Sequence, residues 1–201
     1  MSLNGKILKR LKRAKPDQVF TRSDFLDLGS TDAIGMAIQR LVKLGKLRRV
    51  ARGLYDIPRT HPMLGELSAS SDAIAAAIAR RDGIRLQTTE AAAANLLNLS
   101  EQVPARIVYH TDGKERTVKV GKRTIEFRKR SQRKMAAGRA GALVMAAFRS
   151  LGRQHVTPER LAHLRQLLPP ADRRRLLQDL RFAPAWMNPH LRFIAGEDKP
   201  A

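Results

Sequence analysis

Apolar residues recur at helical spacing from the first turn of the chain. Leu3, Ile7, Leu8 and Leu11 fall on one side, and Lys6, Lys9, Arg10, Lys12 and Arg13 fill the other. This predicts a helix over 3–14, which Pro16 ends because the residue before a proline is driven out of the α region. A second, short helix is expected over 21–28, with Phe25 and Leu28 inward and Gly29 as the stop. Ser30 or Thr31 then caps a third helix running to Leu44, with Ile34, Ala37, Ile38, Leu41 and Leu44 as its inward stripe and Gly45 closing it. Its outward face presents Asp32, Gly35, Met36, Gln39, Arg40 and Lys43. The stretch 46–58 reads as two short β-prone segments around an Arg52-Gly53 turn, closed by Pro58. Leu47 and Val50 fall on opposite parity, so turn chemistry carries that hairpin more than period does.

Helix, short turn, helix and hairpin in this order predict a winged helix-turn-helix over residues 1–60. The fold class expected for the whole chain is α+β, with residues 61–201 forming a second, mixed domain. His61-Pro62 and Gly65 suggest a connector. Ala-rich helices are expected from Ser70 or Ser71 to Arg80 and from Thr88 or Thr89 to Leu99, with Leu96 and Leu99 packed. A three-stranded meander follows over 106–128, its turns at Asp112-Gly113 and Gly121-Lys122. Val118, Val120, Ile125 and Phe127 give the sheet an apolar side, expected to cover the Ala-rich helices, while Lys119 and Glu126 point to water. Helices over 140–151, from Thr157-Pro158 and over 172–182 form a C-terminal bundle, with Trp186 anchoring the tail.

Charge changes the picture from architecture to partner. The formal net charge is +21, from 39 Lys and Arg against 18 Asp and Glu, far beyond what solubility requires. The excess is concentrated in residues 1–60 and from 105 onward, flanking a slightly acidic stretch. A polyanionic partner follows. No apolar run reaches the length of a membrane span and the N-terminus has no apolar signal core, so a soluble, cytoplasmic protein is expected, with no membrane partner. The chain has no Cys, which excludes disulfides, thiolate zinc sites and cysteine nucleophiles.

Catalytic chemistry is not legible. Gly121-Lys122-Arg123-Thr124 lacks the first glycine of a phosphate-binding loop, since Arg116 stands there, and Arg123 replaces the Ser or Thr. His61, His110, His155, His163 and His190 show no metal-ligand spacing with carboxylates. No enzyme activity, cofactor or metal is expected.

The remaining reading is a nucleic-acid binder. A helix in the third position enters the major groove, where Arg and Gln match guanine and adenine edges, and a basic wing sits on phosphates. The candidate DNA-binding residues are Ser30, Thr31, Met36, Gln39, Arg40, Lys43, Lys46, Arg48, Arg49 and Arg52. Arg128, Lys129, Arg130, Arg133 and Lys134 make a second candidate patch. Only 4% of the chain is aromatic, which disfavours the stacking platforms of single-stranded RNA readers, although structured RNA stays open as a target.

A family pattern lies in the same residues. Val19-Phe20-Thr21-Arg22-Ser23-Asp24-Phe25, Leu28-Gly29-Ser30, Ile38-Gln39-Arg40-Leu41, Leu44-Gly45 and Arg52-Gly53-Leu54-Tyr55-Asp56-Ile57-Pro58 together resemble the N-terminal module of the AbiEi antitoxins of type IV toxin-antitoxin systems. The likeness is specific over 17–58 and looser over 107–128. It implies a transcriptional repressor of an abortive-infection operon that binds inverted repeats in double-stranded operator DNA, as a homodimer, and counters a nucleotidyltransferase-like toxin. The alternative is a general winged-helix regulator or RNA-binding module outside any such system.

Overall fold

The computed structural model describes residues 2–101, 106–131 and 135–197. In its N-terminal part α1 (Leu3–Lys12) is capped by Ser2, whose hydroxyl accepts from the Gly5 amide at 3.3 Å, and it buries Ile7 and Leu11. After β1 (Val19–Phe20), the expected short helix is present over Arg22–Leu28, as a 3₁₀ helix. The cause is local. Asp24 accepts from the Thr21 amide at 2.7 Å, and Arg10 donates to the Asp24 carbonyl at 2.6 Å, occupying the oxygen that an α-helical turn would offer to residue 28.

Helix α2 (Thr31–Lys43) starts at Ser30, whose Oγ accepts from the Ala33 amide at 3.3 Å. It buries Ile34, Ala37, Ile38 and Leu41. Leu44 is 67% exposed, contrary to the inward stripe expected of it. The helix ends one residue earlier, Gly45 turns the chain at φ +65, and Leu47 takes the buried position. Strands β2 (Arg48–Ala51) and β3 (Leu54–Asp56) pair antiparallel around Gly53 at φ +74, and β1 pairs with β3, giving the order β1-β3-β2. A register shift between Arg49 and Ala51 accounts for the broken alternation in this stretch. Ile7, Leu11, Phe20, Phe25, Ile34, Ile38, Leu41, Leu47 and Tyr55 form its core.

The expected connector after residue 60 is a hairpin, β4 (Arg59–His61) with β5 (Gly65–Leu67). It has no apolar alternation to reveal it and is held by polar ties instead. Arg59 pairs with Asp17 at 2.6 Å, and Arg48 pairs with Glu66 at 2.6 Å and donates to the Leu67 carbonyl at 2.7 Å. Helix α3 (Ser71–Asp82), capped by Ser70, follows; Arg80 donates to the Val19 carbonyl at 2.8 Å and meets Asp24 at 3.3 Å. The first compact unit therefore runs past the expected boundary at residue 60 to Ile84, and takes in Thr117–Ile125.

The second unit comprises Arg85–Arg116 and Glu126–Ala201. Strand β6 (Leu86–Thr88) pairs antiparallel with β7 (Ile107–Thr111), and the sheet continues through β8 (Arg116–Val120) and β9 (Arg123–Lys129) in the order β6-β7-β9-β8. This corrects the expected meander: a fourth strand is present, and β9 lies between β7 and β8. Four residues separate β7 from β8, where a two-residue hairpin turn was expected; Thr111 accepts from Gly113 at 3.0 Å and Asp112 from Arg85 at 2.8 Å, leading the chain past β9. Helix α4 (Glu90–Leu96) contributes Ala93 and Ala94 to a core with Val144, Met145, Ala147 and Phe148 of α5 (Arg139–Leu151). Its alanines thus cover a helix where a sheet was expected. Leu96 is half exposed, and Leu97 and Leu99 are the packed pair. Helices α6 (Pro158–Leu167), α7 (Pro170–Asp179) and α8 (Asn188–Ala195) complete that core through Leu161, Leu164, Leu176, Leu191 and Ile194, with Trp186 against Phe148. Among the described residues, no helix is long and apolar enough to cross a membrane.

Candidate nucleic-acid interface

The 3.6-residue period of α2 turns its buried stripe toward the core and leaves Asp32, Met36, Gln39, Arg40 and Lys43 exposed. Beside it the β2–β3 hairpin presents Arg49 and Arg52. The two elements border a surface depression of about 710 Å³, lined by Gln39 and Lys43 from α2, Arg49, Arg52 and Tyr55 from the hairpin, and Arg22, Ser23 and Arg81. Five of its lining residues are cationic and none is a carboxylate. Like charges gathered on one surface repel, and a bound polyanion relieves that repulsion.

The expected site residues divide into three groups. Gln39, Lys43, Arg49 and Arg52 converge on the depression, and none of the three cations has an ion pair with a described residue. Ser30, Thr31, Met36, Arg40 and Lys46 are exposed but lie outside its lining; Ser30 is occupied as the cap of α2. Arg48 is turned elsewhere. Strand alternation sends it away from Arg49, and its guanidinium forms a bidentate pair with Asp56 (2.9 and 2.5 Å) besides meeting Glu66 and the Leu67 carbonyl. Asp56, with a side chain 3% exposed, holds Arg48 above the ordinary arginine range, assisted by Glu66 and against the cost of burial.

Arg22 and Arg81 were not among the expected contacts. Arg22 opens the 3₁₀ helix, and its guanidinium lies across α2 at Gly35, where a Cβ would stand 3.4 Å from Arg22 Cζ. Arg81, in the last turn of α3, reaches Gly53 in the hairpin turn, where a Cβ would stand 3.8 Å from Arg81 Nη1. A glycine inside a helix with no turn to make, as at Gly35, was the one signal in the sequence that something presses on α2 there.

The second expected patch is dispersed. Arg128 pairs with Glu126 at 2.9 Å and Arg130 with Glu90 at 2.5 Å, and among the described residues of the patch only Lys129 has no ion pair. Arg133 and Lys134 lie outside the described residues. Glu90 also stands 3.6 Å from His110 Nε2, too far for a hydrogen bond. Burial pushes the His110 imidazole below its usual range, and the Arg130 charge adds to this against the pull of Glu90. Burial opposes ionisation of Glu90, but the Arg130 hydrogen bond leads the effects that hold its carboxyl below the usual value.

Residues 6–176 match the model of a family of unknown function, DUF6088. The chain belongs to that family. No curated protein matches this DUF6088 member. Among solved structures it is similar to the RV2827C protein from Mycobacterium tuberculosis, at 17% identity and a TM-score of 0.44, over 97% of this chain and 76% of that one.

Proposed function

We propose that this DUF6088 protein is a DNA-binding transcriptional repressor whose N-terminal residues act as a winged helix, with α2 as the recognition helix and the β2–β3 hairpin as the wing. The convergence of Gln39, Lys43, Arg49 and Arg52 on one carboxylate-free depression carries the reading. A helix and a basic hairpin side by side have the dimensions to enter a major groove and hold the adjoining backbone. In this reading Gln39 and Arg40 address base edges, and Lys43, Arg49 and Arg52 address phosphates. Arg48 is a brace for the hairpin and not a contact. The resemblance of residues 17–58 to AbiEi antitoxins supports the further proposal that the regulated promoter is its own, in an operon with a nucleotidyltransferase-like toxin.

The test compares binding to DNA from upstream of its own coding sequence with binding to random duplex. Arg40→Ala is expected to lose about 1–3 kcal/mol on the upstream DNA alone, whereas Arg52→Ala weakens both alike and flattens the salt dependence. Equal losses on both duplexes for both variants contradict base reading. Preference for structured RNA over either duplex at fixed salt replaces DNA with RNA as the target. For the antitoxin role, co-expression with the product of the adjacent gene is expected to restore growth that this product arrests; unrelieved arrest removes that role and leaves the regulator.

A further inference from the structure

Arg22 and Arg81 share a geometry that no other cation of the depression has. Each comes from outside both α2 and the hairpin, and each has its guanidinium over a glycine of one of those elements. Gly35 sits inside α2, where a glycine costs a helix stability relative to alanine. It is buried because Arg22 covers it; a longer side chain there would occupy the space of the guanidinium. Gly53 makes the hairpin turn at φ +74, and Arg81 Nη1 lies against it, 3.8 Å from where a Cβ would stand. Asp82 takes the Nε and Nη2 edge of Arg81 at 2.7 and 3.3 Å, which leaves Nη1 facing the turn. The Arg22 guanidinium has no hydrogen bond or ion pair with a described residue. Neither arginine therefore spends all its donors on the fold, and both line the depression beside Lys43, Arg49 and Arg52.

We infer that Arg22 and Arg81 clamp the phosphodiester backbone of a duplex in this depression, one across the helix and the other across the hairpin turn, so that the binding surface extends beyond residue 60 to the end of α3. This rests on the DNA-binding reading and adds two phosphate contacts to it. Guanidinium groups suit such contacts because their planar donors match phosphate oxygens in pairs.

The experiment measures the affinity of the full chain for a random-sequence duplex across a series of potassium chloride concentrations. Each phosphate contact contributes about 0.9 to the slope of log affinity against log salt. Arg22→Ala and Arg81→Ala are each expected to shallow that slope by about 0.9, equally on random and upstream DNA, and Arg→Lys at either position to restore it. Thermal unfolding of both alanine variants is expected to match the parent, since neither side chain anchors the core. Arg80→Ala provides the contrast, because Arg80 ties α3 to Val19 and Asp24; it is expected to lower the melting temperature and leave the slope unchanged. Parental slopes for Arg22→Ala and Arg81→Ala, with the parent still binding the duplex in a salt-dependent way, overturn the clamp and spare the DNA-binding reading. A parent that does not bind duplex overturns both.

Discussion

Two adjacent arginines on β2 have opposite fates, and the difference is one of partners. Arg48 meets a carboxylate that is almost fully buried, so removing the guanidinium leaves the Asp56 charge without its counter-ion. Arg48→Ala is expected to cost about 3 kcal/mol in urea unfolding, while Arg49→Ala changes stability by no more than about 0.5 kcal/mol. Equal effects at the two positions would show that the bidentate pair is not holding the hairpin. The sequence does not distinguish these residues, because Asp56 and Glu66 stand 8 and 18 positions from Arg48 and charge order along the chain carries no pairing information. On α2 the opposite holds. The helical period alone separates Gln39, Arg40 and Lys43 from Ile38 and Leu41, and exposure follows that division.

Elements were legible where a local signal starts or stops them. Ser30, Ser70 and Thr157 each accept from the amide three residues ahead, at the helix starts that their residue types predict. What a strand pairs with is a different matter: alternation marks β7, β8 and β9 as strands but is silent on which neighbours which, and so the order β6-β7-β9-β8 had to be seen. The start of α5 shows a similar long-range dependence. Asp179, at the end of α7, is buried and accepts from the Gly138 amide at 2.9 Å, serving a free donor of the α5 first turn from another helix. A Cβ on Gly141 would stand 2.1 Å from Asp179 Oδ2. Gly141→Ala is accordingly expected to destabilise the protein by about 1–3 kcal/mol through overpacking, despite the better helix propensity of alanine. A stabilised variant in chemical denaturation would show that α7 moves aside at no cost.

At the scale of the molecule, net charge and titration act on different quantities. Burial lowers the pKa of both His110 and His190 from 6.5, with Arg130 adding to the effect at the first and Arg153 at the second. A depressed histidine binds its proton less readily when folded than when unfolded. Stability is therefore full above pH 6.5 and falls as the pH drops below it, by at most about 1.4 kcal/mol per pH unit for each histidine. Glu90 stays ionised through this window, its own contribution being lost only as the pH falls below 4.5. Unfolding free energies on either side of pH 6.5 are expected to converge in a His110→Gln, His190→Gln double variant; an undiminished pH dependence would place its origin in other groups. The excess positive charge, by contrast, speaks to a partner and not to the fold. Composition raises the expectation of a polyanion but gives no place for it: of the two basic stretches, the depression beside α2 is a convergent cationic surface, and the described part of the second is largely bound to Glu126 and Glu90. The most direct measurement is amide hydrogen exchange of the full chain with and without a random-sequence duplex. Added protection is expected in the 3₁₀ helix, α2, the β2–β3 hairpin and the last turn of α3, with α6 and α7 unchanged despite their exposed arginines. Protection centred on α6 and α7, with α2 and the hairpin exchanging as in the free protein, would contradict the account.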